Sequence, residues 1–146
     1  MRLQKMTTHD YFHDLQKTVH LALEEDIGAA DLTASLIAAD AITQATVTLR
    51  EMAVICGRPW FDETFHQLDP NIQIDWHIQE GSVQPADTKL CTLRGNTRQL
   101  LTGERTALNF LQTLSATATL TRQYVEQLKN TKTTIITITC CLEIFI

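Results

Sequence analysis

Apolar residues recur every fourth position at Tyr11, Leu15, Val19 and Leu23, a spacing that predicts a helix over residues 9–25. Phe12 and Ala22 widen its apolar face, and Gly28 is a stop signal. Leu36 and Ile37 form a short second apolar cluster. The pattern then changes to alternation. Ala45, Val47 and Leu49 alternate with polar neighbours, which predicts a half-buried strand over 44–51. Ala53 to Cys56 reads as a second short strand, ended by Gly57. Pro59 sits where a first helical turn accepts proline. Trp60, Phe61, Thr64, Phe65 and Leu68 would line the buried side of that helix. Asp69-Pro70-Asn71 is turn chemistry. Ile72, Ile74, Trp76 and Ile78 alternate with Gln73, Asp75, His77 and Gln79 in the cleanest strand pattern of the chain. Turns at Glu80-Gly81-Ser82 and Pro85-Ala86-Asp87 lead to a strand over 89–94, closed by Gly95.

From Asn96 to Lys129 the period is helical, with no proline and with Gly103 as its one glycine. Leu100, Leu101, Ala107, Leu108, Leu111 and Leu114 would form the apolar side of its first part. Thr117, Leu120, Tyr124 and Leu128 would do so in the second. Ser115 is a natural N-cap, so the pattern predicts two helices, near 96–114 and 116–129. Residues 133–146 are β-branched and apolar, as in a strand or an aggregation-prone tail. No internal repeat is present.

Composition narrows the class. With 44% hydrophobic and 20% charged residues and only 5 Gly and 3 Pro, the chain is ordinary globular material. Its 146 residues predict one domain, with room for part of a second. No run of about 18 apolar residues occurs, so no membrane span is expected. The opening MRLQKMTTHDYFHDL lacks a signal-peptide core, so a cytoplasmic location is expected. The net charge of −5 is uneven: residues 1–93 carry −8, residues 94–132 carry +4, and the remainder carries −1. An acidic chain with one basic segment argues against nucleic-acid binding and suits a local site for small anions. Cys56, Cys91, Cys140 and Cys141 have neither zinc nor disulfide-framework spacing, so all four read as reduced structural thiols.

Candidate chemistry is sparse before any likeness is considered. Glu24-Glu25-Asp26 reads as a solvated acidic face. His9 and His13 share helical spacing, but neither the zincin glutamate nor a third ligand accompanies them. His77 falls on the polar side of its strand. Phosphate loops, dinucleotide fingerprints and nucleophile elbows are absent from the sequence. Arg98 and Arg105 are two helical turns apart and could grip a carboxylate or phosphate. The alternative is an ordinary helix surface with partial ion pairs to Glu104.

The stretch Leu100-Leu101-Thr102-Gly103-Glu104-Arg105-Thr106-Ala107-Leu108-Asn109-Phe110-Leu111-Gln112, with Leu114-Ser115-Ala116-Thr117-Ala118-Thr119 after it, resembles the signature of the quinolinate phosphoribosyltransferases. Ala22-Leu23-Glu24-Glu25-Asp26-Ile27-Gly28 with Asp31-Leu32-Thr33 is similar to the family's N-terminal motif. Gly57-Arg58-Pro59-Trp60 and Gly81-Ser82-Val83 also fall in order. The likeness runs from about residue 15 to about 134, and its Glu-Arg-Thr-Ala-Leu-Asn string is the specific part.

The resemblance implies an α+β class: an N-terminal α/β open-faced sandwich followed by the first elements of a truncated α/β barrel. The expected divisions are a sandwich domain over 1–95, a helical connection into the barrel over 96–134 and an atypical tail over 135–146. The implied reaction converts quinolinate and phosphoribosyl pyrophosphate, with Mg²⁺, into nicotinate mononucleotide, pyrophosphate and CO₂ in NAD biosynthesis. The implied assembly is a homodimer, with no nucleic acid and no membrane as partner. By motif, Arg105 is expected to bind quinolinate across the dimer interface. No catalytic residue and no metal ligand is assigned.

Two departures stand out. Ala116 replaces the family's usual glycine and is expected to crowd a helix start. After Thr134-Ile135-Ile136 the family continues Asp-Thr-Arg-Lys-Thr, whereas this chain reads Thr137-Ile138-Thr139-Cys140-Cys141. The expectation is therefore a truncated, inactive fragment without the Mg²⁺ ligands, with 137–146 out of frame. The alternatives are a non-catalytic folded remnant or a related phosphoribosyltransferase acting on another acid. A carrier module is a weaker alternative, because the hairpin over 81–93 has no modifiable lysine at its tip.

Overall fold

The strand predicted near Lys89 lies at the centre of a sheet in the computed structural model, which describes residues 12, 14–27, 37–129 and 131. In chain order the elements are α1 (Leu15–Ile27), β1 (Ile42–Thr48), β2 (Ala53–Val54), α2 (Arg58–Leu68), β3 (Gln73–Trp76), β4 (Val83–Gln84), β5 (Lys89–Asn96) and α3 (Thr97–Leu128). β5 pairs antiparallel with β1 on one side and β3 on the other. Cys91 lies opposite Val47 and Trp76, and Leu93 opposite Ala45 and Ile74. β2 and β4 form a separate antiparallel pair. The fold is α+β, as the resemblance implied.

The main core joins sheet to helices. Ile55, Phe61, Phe65, Leu90, Cys91, Leu93, Leu100, Ala107 and Leu111 pack together in it. A second cluster ties α1 to α2 through Val19, Leu23 and Trp60, with Phe12, Leu15, Phe110 and Leu114 against it. α1 runs over Leu15–Ile27 rather than 9–25, and its four-residue period buries Val19 and Leu23, on the side that the sequence indicated. Trp76 anchors β3 to α2. Its indole Nε1 donates to Asp62 Oδ1 at 2.7 Å, and the Arg58 guanidinium lies 4.7 Å from its ring.

Several expectations need correction. Residues 97–128 form one helix rather than two. Its N-cap is Asn96, whose Oδ1 accepts from Arg98 N at 3.0 Å and Gln99 N at 3.4 Å. Ser115 is therefore no cap but a buried residue inside the helix, and Ala116 crowds no helix start. The second half of α3 is also turned from the expected face: Leu120 and Tyr124 are about half exposed, while Ser115, Ala118 and Thr121 are buried. The partner explains the turn. α3 there packs on backbone at Val54–Cys56, where small side chains allow close approach and hydroxyls can bond amides.

Strand edges also differ. β1 covers 42–48 rather than 44–51, β3 stops at Trp76, and Gly95 lies inside β5. A Cβ on Gly95 would stand 2.6 Å from Ile72 Cγ1, so only glycine fits that crossing. Gly28, Asp31-Leu32-Thr33, Leu36 and residues 133–146 lie outside the described residues.

Candidate functional site

Helix α3 carries the Glu104-Arg105-Thr106 motif past the last turn of α1, and Gly103 lets the same stretch lie close on α2. A Cβ on Gly103 would meet Leu68 Cδ1 at 2.7 Å and Phe65 Cε1 at 2.9 Å. The glycine inside the motif thus sets how closely α3 lies on α2. One turn of α3 then sends its residues two ways. Thr106 and Ala107 are buried, while Arg105 and Glu104 face out.

Arg105 meets Asp26. Its Nε lies 2.5 Å from Asp26 Oδ1, and its Nη2 donates to the Asp26 carbonyl oxygen at 3.1 Å. Thr106 Oγ1 donates to the other carboxylate oxygen, Asp26 Oδ2, at 2.7 Å. The Arg105 side chain is 77% exposed and that of Asp26 only 22%. An exposed ion pair adds about 0–1 kcal/mol. The contact is thus a weak source of stability, and its main effect is on the direction of the guanidinium. Asp26 fixes the side-on edge, Nε with Nη2. The end-on edge, Nη1 with the second Nη2 hydrogen, points away from Asp26 and matches a carboxylate or phosphate.

The structure separates the other candidates. Arg98 does not join Arg105. Its Nε donates to the Ile37 carbonyl at 2.7 Å and its Nη2 bonds the same oxygen, so this arginine fastens the chain before β1 onto α3. Glu104 makes no ion pair with Arg105, whose partner is Asp26. Glu24 and Glu25 are exposed, as a solvated face should be, but Asp26 is drawn into the site. His77 is exposed, with its Nε2 2.9 Å from Thr92 Oγ1. His9, His13, Cys140 and Cys141 lie outside the described residues, and Cys56 and Cys91 are buried free thiols. Asp26 and Thr106 are the site residues that the sequence pattern missed. Asp26 is 79 positions from Arg105, and only the likeness to the N-terminal motif marked its neighbourhood.

A cleft of about 1030 Å³ opens between β1 and α3, lined in part by Ala45, Val47, Leu101, Glu104, Leu108 and Leu120. Among the described residues, no group of three or more His, Cys, Asp or Glu side chains converges to hold a metal ion. No helix of the described residues is long and apolar enough to cross a membrane. Two groups away from this site are perturbed, half-buried Asp62 and buried Cys91. Burial raises the Asp62 carboxyl above 3.8, opposed by the Trp76 hydrogen bond and by Arg58. Burial, helped by nearby Asp62, pushes the Cys91 thiol up to about 12.

The chain is a small α+β domain whose motif arginine, Arg105, faces outward and is braced by Asp26. Its family follows from the sequence: the family described as "Quinolinate phosphoribosyl transferase, N-terminal domain" matches residues 31–115, more than half of the chain. The chain belongs to that family. It is 40% identical over 104 residues to a probable nicotinate-nucleotide pyrophosphorylase [carboxylating] from Synechocystis sp., covering 71% of this chain and 35% of the relative. It is 38% identical to the corresponding protein of Rattus norvegicus, covering 71% of this chain and 34% of the relative. The solved nicotinate-nucleotide pyrophosphorylase from Francisella tularensis superposes with a TM-score of 0.78 at 40% identity, over 88% of this chain and 44% of that one. The chain therefore spans about a third of the length of these curated relatives.

Proposed function

We propose that this chain supplies the N-terminal, substrate-reading part of a quinolinate phosphoribosyltransferase, and that Arg105 contacts quinolinate across a homodimer interface. The observation that carries the reading is the outward, oriented guanidinium of Arg105 inside the family motif. Quinolinate carries two carboxylates, and a guanidinium edge is the side-chain group that matches one of them in two parallel hydrogen bonds. Holding the acid in place turns its encounter with the ribose into an effectively unimolecular step.

The reaction that follows balances without a redox partner. The ring nitrogen of quinolinate forms a bond to C1 of phosphoribosyl pyrophosphate, and pyrophosphate leaves with the electron pair of the broken C–O bond. The positive ring nitrogen then accepts electron density as the adjacent carboxylate leaves as CO₂. A proton replaces that carboxylate and gives nicotinate mononucleotide. Magnesium bound to pyrophosphate would offset the leaving-group charge. The described residues present no ligand set for it, so no step is assigned to it on this chain. A cytoplasmic location is proposed alongside this reading.

The test is complementation between subunits. A full-length Francisella tularensis subunit with its motif arginine replaced by alanine is mixed with this chain, and nicotinate mononucleotide is measured. The chain alone is expected to make none. The mixture is expected to make product with the unsubstituted chain and none with Arg105→Ala. Product formation that is equal with and without Arg105 overturns the reading.

A further inference from the structure

We infer that Asp26 is a positioning residue that decides which edge of the Arg105 guanidinium a ligand can use. The inference rests on the reading of Arg105 as the contact to an aromatic dicarboxylate. An unbraced arginine offers two bidentate edges, side-on through Nε and Nη2 and end-on through Nη1 and Nη2. Asp26 occupies the first with two acceptors from one residue, its carboxylate Oδ1 and its own carbonyl oxygen. The carbonyl contact comes from the last turn of α1, so the helix itself sets the plane of the guanidinium.

The brace is itself held. Thr106, beside Arg105 on α3, donates to Asp26 Oδ2, so the carboxylate cannot rotate away without leaving a buried hydroxyl unpaired. Asp26 is largely covered and Arg105 largely exposed, which puts the fixed end inside and the reading end outside. Asp26 also offsets the positive charge of Arg105. That weakens general attraction for anions and favours a ligand shaped for the end-on edge over a diffuse counter-ion.

The experiment follows the Arg105 side-chain N–H signals of the ¹⁵N-labelled chain by NMR, mixed with the unlabelled full-length subunit of the complementation test, with quinolinate as the titrated probe. In the unsubstituted chain, Nε–H is expected to exchange slowly and stay fixed during titration, while the Nη signals move. In Asp26→Ala, Nε–H exchange is expected to rise at least tenfold, and Nε–H is expected to move with quinolinate. Thr106→Val, which leaves the charge unchanged, is expected to give a smaller rise in exchange. Nε–H exchange and titration that are identical in the unsubstituted chain and both variants overturn the positioning role alone. A slowly exchanging Nε–H with no Arg105 signal responding to quinolinate overturns the function assigned to Arg105, and the inference with it.

Discussion

The Ser115 hydroxyl both accepts from and donates to the backbone of Cys56, 59 positions away. Its Oγ accepts from Cys56 N at 3.0 Å and donates to Cys56 O at 3.1 Å. One turn later, Thr119 Oγ1 accepts from Val54 N at 2.8 Å while donating to Ser115 O at 2.7 Å. Two hydroxyls on one face of α3 thus do for the edge of β2 what a neighbouring strand would do. Without them, buried amides at Val54 and Cys56 would be left unpaired.

Ser115→Ala should therefore destabilise the fold by about 1–3 kcal/mol, because it orphans buried backbone groups rather than removing a pair. Thr117→Ala is the matched control. Its exposed hydroxyl bonds only its own helix, at Thr113 O, so a change within about 0.5 kcal/mol is expected. Urea unfolding of both variants measures the difference. Equal midpoints for the two would show that the Ser115 bridge adds nothing.

These hydroxyls explain where sequence pattern succeeds and where it stops. Val19, Leu23, Trp60, Phe61 and Phe65 pack side chain against side chain, and their spacing shows the buried face directly. The second half of α3 packs on backbone, so its buried positions are Ser115, Ala118 and Thr121. A hydrophobicity pattern favours Leu120 and Tyr124 instead, and the structure leaves those exposed. The site divides in the same way. Arg105 is marked by a contiguous motif, whereas its brace Asp26 comes from another helix and needs the tertiary fold to be seen. Arg98 has the spacing to join Arg105, but the Ile37 carbonyl holds it.

Gly103→Ala opposes two effects of known size. Alanine favours a helix over glycine by about 0.8–1.0 kcal/mol. Overpacking costs about 1–3 kcal/mol, and the added Cβ would stand 2.7 Å from Leu68 Cδ1 and 2.9 Å from Phe65 Cε1. Phe65 is a buried ring in the core, so the clash should win and stability should fall. Leu68→Ala in the same chain removes one of the two contacts. A double-mutant cycle should then show Gly103→Ala costing less in that background. Strict additivity would mean that Leu68 does not set the approach of α3 to α2.

Glu80 caps α2 from a distant turn. Its carboxylate accepts from Gly57 N at 2.7 Å and Arg58 N at 3.3 Å, at the positive end of the helix. Glu80→Ala is expected to cost about 0.5–2 kcal/mol, the usual range for a lost cap. Glu80→Gln keeps an acceptor but loses the charge, so it should fall between the two. Thermal unfolding at low and high salt would check this. The gap between unsubstituted chain and Gln variant should shrink as salt rises.

Cys91 couples folding to alkaline pH. Burial, with nearby Asp62, holds its folded-state pKa at about 12 against an ordinary 9.0. A raised folded value means that the folded chain keeps the proton longer than the unfolded chain. The resulting stability is complete below 9.0 and is lost as pH rises from there towards 12. The slope for one proton is about 1.4 kcal/mol per pH unit. Cys91→Ala removes this group, so its stability should decline less steeply across the same window, despite a lower starting value from the small cavity. Asp62 acts in the same sense at acid pH. Its raised value means that stability is lost as pH rises from 3.8 through the folded-state value, and Asp62→Asn should flatten that region. Urea midpoints measured across both windows give the two slopes. A Cys91→Ala curve parallel to that of the unsubstituted chain above pH 9 would show that the thiol stays accessible to hydroxide in the folded protein.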